Sequence, residues 1–167
     1  MNLTRLYAAG QVQRWHQNPT MAATGQTLAD HQGRCVQLLL ALNPAASPAL
    51  IRAVAFHDVG EFVAGDLSRD FKVANPEAAA AHAGFETTAR ETICGPDPDL
   101  SPSEMAWVKL VDRLECTAYV LLTRPWEAER GASGWRMAIA ELCITADGMG
   151  CGEVVRRLID DLRLGVW

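Results

Sequence analysis

The chain has 167 residues, 49% of them hydrophobic, which is enough for one domain with a full core and too few for two. Its formal net charge of −5 at pH 7 provides no excess of cations to displace counterions along phosphates, which argues against binding to polymeric nucleic acid. We therefore expect a single domain over residues 1–167, with a small anionic ligand still allowed.

Cysteine spacing and hydropathy indicate a reducing, aqueous compartment. The five cysteines are an odd number and include no C-x-x-C pair, so free thiols are expected. The N-terminal segment lacks the basic and then apolar pattern of a signal peptide, and no apolar run approaches the roughly 18 residues of a membrane span. These patterns predict a cytoplasmic protein with no membrane partner.

Helical periodicity recurs along most of the chain. The expected helices span about residues 27–43, 48–58, 76–94, 102–122, 126–142 and 152–164. Three of them begin at a capping residue followed by proline at the first helical position, namely Ser47-Pro48, Asn75-Pro76 and Ser101-Pro102. Residues 66–75 mix charge with Ser and Phe without a period and are expected to form a loop. No alternating run typical of a strand occurs, so the sequence predicts an all-α bundle.

The most informative stretch is AFHDVGEFVAGDL, residues 55–67. His57 and Asp58 end an apolar helix, where two adjacent polar groups would be costly to bury without partners. A divalent cation would partner both. Glu61 follows at i+4 from His57 and i+3 from Asp58, which places a carboxylate beside the proposed cation. A general base or acid would stand at that position.

Two further candidate ligands lie far away in sequence. His31 and Asp112 each lie on an expected helix whose opposite face is apolar. Together with His57 and Asp58 they make a mixed nitrogen and oxygen set suited to Zn²⁺, Mn²⁺, Co²⁺ or Fe²⁺, with Mg²⁺ also open. Such a set leaves coordination positions for water and a phosphate oxygen.

The order H…HD…D on helices resembles the HD superfamily of metal-dependent phosphohydrolases. The resemblance includes the flanks: Arg14-Trp15, the run HDxxExxxGDL from His57 to Leu67, Lys72, and Lys109 three residues before Asp112. It is similar to the branch that holds bacterial 5′-deoxynucleotidases and the short bacteriophage dATP triphosphohydrolases. It covers about residues 14–122, and the C-terminal part rests on helical periodicity alone.

The resemblance implies a role for each matching residue. The implied metal ligands are His31, His57, Asp58 and Asp112, and the implied catalytic carboxylates are Glu61 and, near the sugar and water, Asp66. The implied contacts to phosphate and to the sugar and base are Lys72, Lys109, Arg14 and Trp15. Gln17 and Asp70 are candidates to contact base edges. Lys72 and Lys109 are the only lysines in the chain, which is modest independent support for their assigned role.

The implied reaction is hydrolysis at the α-phosphorus of a deoxynucleotide, with dATP triphosphohydrolase activity favoured. A 5′-deoxynucleotidase acting on dNMPs shares the motifs, and Gln17 and Asp70 leave dGTP or a broad dNTP range open. A non-catalytic nucleotide- or metal-binding module is an alternative of another class. The compartment would be host cytoplasm if the chain is phage-encoded. Superfamily members form oligomers, and the apolar end, with Leu164, Val166 and Trp167, is a candidate contact.

Overall fold

The computed structural model describes residues 1–130 and 134–166, without the side chains of Arg69 and Asp70. Its helices are α1 (Leu3–Ala9), α2 (Leu28–Leu42), α3 (Pro48–Phe56), α4 (Glu61–Ala64), α5 (Arg69–Ala74), α6 (Pro76–Cys94), α7 (Pro102–Thr123), α8 (Pro125–Glu129), α9 (Trp135–Gly148) and α10 (Gly152–Leu164). A 3-10 helix spans Ala22–Thr24. The described ranges contain no β-strand, which confirms the all-α prediction.

The predicted helix starts follow local capping chemistry. Ser47 and Ser101 cap α3 and α7, each accepting a hydrogen bond from the backbone N–H three residues on. Glu104 completes a capping box with Ser101, as its spacing predicts. Helix α6 also begins at its predicted proline with Asn75 as its N-cap residue, but the Asn75 side chain makes no capping hydrogen bond and donates to the Phe71 carbonyl.

Two predicted segments are wrong. Residues 66–75 contain the short helix α5, whose N-cap Ser68 accepts from the Phe71 N–H. The single helix expected over 126–142 is instead α8 and α9, because Arg130 is extended and Gly134 adopts a left-handed backbone with φ of 72°. Helix α9 then continues to Gly148. The helical periodicity across residues 126–142 therefore did not reveal that two separate helices form there.

Helix α7 is the central element, because its two faces pack against different partners. One face joins α2 and α3 in an apolar cluster with members Cys35, Leu39, Leu50, Val54 and Val111. The other joins α9 and α10 in a larger cluster that includes Leu110, Leu114, Leu142, Val155 and Ile159. This packing fixes α2, the end of α3 and α7 against one another at the position of the candidate ligands.

Helix α4 approaches α6 so closely that only glycine fits at residue 60. A Cβ at Gly60 would lie 2.2 Å from the Glu86 carbonyl oxygen, well inside van der Waals contact. The missing side chain lets the turn after His57 and Asp58 lie against α6, with Glu61 as the next residue. Among the described residues, none of the helices combines the length and apolar character needed to cross a bilayer.

Candidate metal centre

The structure brings together the side chains of His31, His57, Asp58 and Asp112, which we call the four-ligand cluster. One ligand atom from each lies within 4.8 Å of all the others, an arrangement that could hold a metal ion. The Nε2 atoms of His31 and His57 are 3.1 Å apart. His31 Nε2 lies 3.4 Å from Asp58 Oδ2 and 3.3 Å from Asp112 Oδ1. Helices α2 and α7 and the end of α3 therefore converge on one small volume.

The outer nitrogens of both histidines have acceptors that orient the rings. His57 Nδ1 lies 2.8 Å from the Val54 carbonyl oxygen, which can only accept, so Nδ1 carries the proton. His31 Nδ1 lies 2.5 Å from Glu115 Oε2. These contacts direct the Nε2 atoms into the cluster, and loss of the proton from Nε2 would give the tautomer that a metal ligand requires. The donor set and its orientation thus fit a divalent cation.

Charges within the cluster are strongly coupled. Burial alone lowers the pKa of His31, but hydrogen bonds to Asp112 and Asp58 more than offset it, so that the pKa is raised. Burial raises the pKa of Asp112, and its contacts with His31 and His57 outweigh this and hold the pKa well below its ordinary value. The carboxylates thus stay ionised, and a cation at this position would compete with protons for the histidines.

Glu61 lies beside the cluster in a setting that favours its protonated form. Burial raises the pKa of its carboxyl group most, and the Asp58 and Asp66 carboxylates raise it further, to about 9 from an ordinary value of 4.5. The Arg14 guanidinium offsets part of this rise. A carboxyl group with this pKa can hold a proton at neutral pH and release it when positive charge arrives nearby.

The raised pKa of Glu61 predicts that the free energy of unfolding depends on pH. Between about pH 4.5 and 9 the folded protein retains a proton on Glu61 that the unfolded chain has released, so the free energy of unfolding falls as pH rises. In metal-free protein we expect the wild type to lose about 1–2 kcal/mol more than Glu61→Gln between pH 6 and 8.5, less than the full linkage value because Glu61 is only partly buried. Urea titrations at both pH values measure the difference.

The control for this measurement is Glu77→Gln, which changes an exposed carboxylate in the first turn of α6. Its stability should follow the wild type across the same range of pH. Parallel loss of stability in the wild type and Glu61→Gln would contradict the raised pKa.

Arg14 and Trp15 lie next to the cluster. Arg14 Nη2 is 3.9 Å from Asp58 Oδ2, and Arg14 Nη1 is buried without a hydrogen-bond partner within the described ranges. Arg14 Nη1 lies 3.6 Å from Glu115 Oε2, an ion pair without a hydrogen bond, so its N–H groups could still donate to an anion. Trp15 adopts a left-handed backbone with φ of 66°, the one non-glycine residue of the described chain to do so. Its indole is partly buried, and the Arg14 guanidinium lies 5.6 Å from the ring centroid.

Gln17 contacts the loop that contains Asp66, and Lys72 lies on the helix α5 that follows this loop. Gln17 Nε2 donates to the Asp66 carbonyl at 3.0 Å, and Gln17 Oε1 accepts from the Ser68 N–H at 2.8 Å. Both ends of this amide therefore secure the loop, and the predicted contact with a base edge would compete with these bonds. Lys72 Nζ lies 3.5 Å from Asp66 Oδ1 in a half-exposed ion pair. The role of Asp66 and Lys72 at a substrate stays a prediction.

Within the described part of the chain, no contact joins Lys109 to the cluster. Lys109 is exposed and lines a cavity of about 190 Å³ between α7 and α9, with Arg113, Leu142 and Thr145 among its neighbours. The Asp70 side chain and Trp167 lie outside the described residues. Leu164 and Val166 are exposed at the end of the described chain, and oligomer formation stays a prediction.

Sequence reasoning assigned no role to Glu115 and missed Gln26, although both are buried beside the cluster. Glu115 is 1% exposed and contacts His31, and Gln26 Nε2 donates to Glu115 Oε1 at 2.7 Å. One signal was present for Glu115, since it follows Asp112 by three residues and shares its helix face. Gln26 precedes α2 in an irregular segment, and no local pattern marks it.

Comparisons with protein-family models, curated proteins and solved structures find no match to this chain. The resemblance to the HD superfamily therefore stays an interpretation of the motif. The all-α fold and the cluster that could hold a metal are properties of the chain itself.

Proposed function

We propose that the chain is a metal-dependent phosphohydrolase of the HD type that hydrolyses a deoxynucleotide. The observation that supports this most is the four-ligand cluster, whose two imidazoles present Nε2 toward two carboxylates while their Nδ1 atoms are held from behind. A set of this kind is incomplete as a coordination shell, so water and a phosphate oxygen could complete it. A purely structural ion pair would not need the adjacent Glu61.

The residues around the cluster have distinct parts in this proposal. A bound divalent ion supplies Lewis acidity to a phosphoryl oxygen and acidifies water. Glu61 exchanges a proton at its carboxyl oxygen as water attacks phosphorus and the leaving oxygen departs, which its raised pKa suits. Arg14 Nη1–H, which has no hydrogen-bond partner among the described residues, contributes to binding a non-bridging phosphate oxygen and offsets negative charge as it develops.

The favoured substrate is a deoxynucleoside triphosphate, with dATP first and deoxynucleoside plus triphosphate as products. This preference rests on the motif, which assigns Arg14, Lys72 and Lys109 to a polyphosphate, and on the partly exposed ring of Trp15 as a surface for a base. The cytoplasm or a phage-infected host cell is the proposed location.

A second candidate, a 5′-deoxynucleotidase, is favoured by the position of Lys109. That lysine lines the cavity between α7 and α9, and Lys72 is already paired with Asp66. Arg14 is then the one Arg or Lys whose side chain forms an ion pair with a carboxylate of the cluster among the described residues. A single phosphate needs less positive charge than three, so this arrangement suits a monophosphate.

The experiment is metal analysis of purified protein combined with a turnover panel. The four dNTPs, the four dNMPs and the matching ribonucleotides are incubated with protein loaded with Zn²⁺, Mn²⁺, Co²⁺ or Mg²⁺, and products are separated by ion exchange. We expect triphosphate and deoxyadenosine from dATP, with ribonucleotides turned over more slowly. Orthophosphate from dNMPs, with dNTPs inert, would establish the second candidate instead. Binding of metal and nucleotide without product over hours would overturn both and indicate a binding module.

A further inference from the structure

A chain of hydrogen bonds leads from Trp15 to the candidate metal ligand His31. Trp15 Nε1 donates to Gln26 Oε1 at 2.6 Å, and Gln26 Nε2 donates to Glu115 Oε1 at 2.7 Å. The other carboxylate oxygen of Glu115 accepts from His31 Nδ1 at 2.5 Å. We call these four residues the Trp15–His31 network.

The donor and acceptor properties of each group determine its orientation in the network. An indole nitrogen can only donate and a carboxylate can only accept, so the Gln26 amide has one arrangement that satisfies both neighbours. Gln26, Glu115 and His31 are each no more than 2% exposed, so water does not replace a lost partner. The loss of any one of these hydrogen bonds therefore makes the next hydrogen bond in the network less favourable.

Two independent features indicate that the position of Trp15 is imposed by its surroundings. Its left-handed backbone is unfavourable for a bulky residue and persists only where tertiary contacts compensate. The backbone N–H of Arg14 donates to the Gln26 carbonyl at 2.9 Å, so the Gln26 main chain holds the same segment that its side chain holds. Gln26 thus anchors Trp15 twice.

We propose that Gln26 and Glu115 are positioning residues that couple occupancy of the metal site to the placement of Trp15. The coupling rests on the proposed function in two respects only: Trp15 contacts the base, and His31 binds the metal. A cation on His31 Nε2 makes Nδ1–H a stronger donor to Glu115, which steadies the Gln26 amide and, through it, the indole. Conversely, an indole held in place keeps His31 in the tautomer that binds metal.

This network also limits how Trp15 reads a base. Because its N–H is already bonded to Gln26, the indole offers a substrate only its ring face and edges. Stacking on a ring face accepts every base. Selection among bases therefore comes from residues other than Trp15.

The first test observes the network directly, in the wild-type protein and without nucleotide. Protein labelled with ¹⁵N at the tryptophan indoles is titrated with Zn²⁺, and the Trp15 signal is assigned by its loss in Trp15→Phe. We expect a downfield, exchange-protected Trp15 N–H that shifts on saturation with Zn²⁺. An unshifted Trp15 signal in protein shown to bind Zn²⁺ would overturn the coupling.

The second test measures Zn²⁺ affinity by competition with a chelator. Glu115→Gln and Gln26→Leu should weaken binding about 10- to 100-fold, as removal of outer partners of a metal-binding histidine does. Trp15→Phe should weaken it about two- to fivefold, in line with a share of the hydrogen-bond energy at the far end of the network. A structural role confined to Glu115 would leave Trp15→Phe at the wild-type affinity.

Trp15→Phe and Glu115→Gln each have a matched control. Trp135→Phe changes a tryptophan whose ring centroid is 6.2 Å from that of Trp15 but which lies outside the network, and Glu127→Gln changes a buried carboxylate on α8. Both should bind Zn²⁺ like the wild type. Equal losses in Trp15→Phe and Trp135→Phe would overturn the proposal. Since no step uses nucleotide, failure of the proposed reaction would leave these readouts intact, and failure of the coupling would leave turnover intact.

Discussion

Glu61→Gln is expected to lower turnover of the preferred deoxynucleotide by about 10²- to 10⁴-fold while the protein retains its metal. The substitution preserves the shape of the side chain and removes the acidic proton whose pKa burial and the nearby carboxylates raise. Glu61 is outside the set of four ligands, so metal content after dialysis should equal that of the wild type. Single-turnover rates at saturating substrate measure the effect on the chemical step.

The control for this experiment is Glu127→Gln, which makes the same substitution on α8, where Glu127 pairs with Arg130. Its turnover should stay within about twofold of the wild type. If Glu61→Gln kept more than a tenth of wild-type turnover, Glu61 would not be the group that moves the proton. Loss of metal from Glu61→Gln would instead make Glu61 a further ligand.

Asp112→Asn is expected to abolish stable metal binding, with at least a 100-fold loss of affinity and no turnover at micromolar metal. Asp112 Oδ1 lies 3.3 Å from His31 Nε2 and 3.8 Å from His57 Nε2, so the substitution removes one of the two negative charges in the cluster. Elemental analysis after dialysis measures occupancy. Thermal unfolding with and without Zn²⁺ gives a second readout, because a ligand at 100 times its Kd adds about 2.7 kcal/mol of stability.

Asp147→Asn serves as the matched control for the charge change. Asp147 pairs with Arg156 between α9 and α10, outside the four-ligand cluster. This variant should take up metal and gain stability from Zn²⁺ like the wild type. Undiminished metal content in Asp112→Asn would show that the metal does not bind at the four-ligand cluster and would remove the basis of the proposed function.

Local signals explain why much of the fold was predictable. At Ser47-Pro48 and Ser101-Pro102 the serine accepts a hydrogen bond from one free N–H of the first helical turn, and the proline has no N–H that needs a partner, so this chemistry lies within four residues. The long apolar faces of α2 and α7 likewise repeat along the chain. The helix α5 and the break between α8 and α9 were missed, because helices this short depend on tertiary contacts for their stability.

The candidate site likewise has some features that were predictable from the sequence and others that were not. Sequence by itself singled out His31, His57, Asp58 and Asp112 as candidate ligands, because polar residues on otherwise apolar helices are visible without coordinates. The local spacing also placed Glu61 beside His57 and Asp58 on one helical turn.

Only the tertiary structure decided which nitrogen of each histidine faces the cluster, how far the pKa of Glu61 rises, and that Gln26 links Trp15 to Glu115. The physical reason is that these properties depend on burial and on partners distant in sequence. Glu115 is 84 residues from His31 and 89 from Gln26, and only the packing of α2 against α7 brings the three together. The order of residues in the sequence identifies the candidate ligands, and the folded core determines the orientation and charge of their side chains.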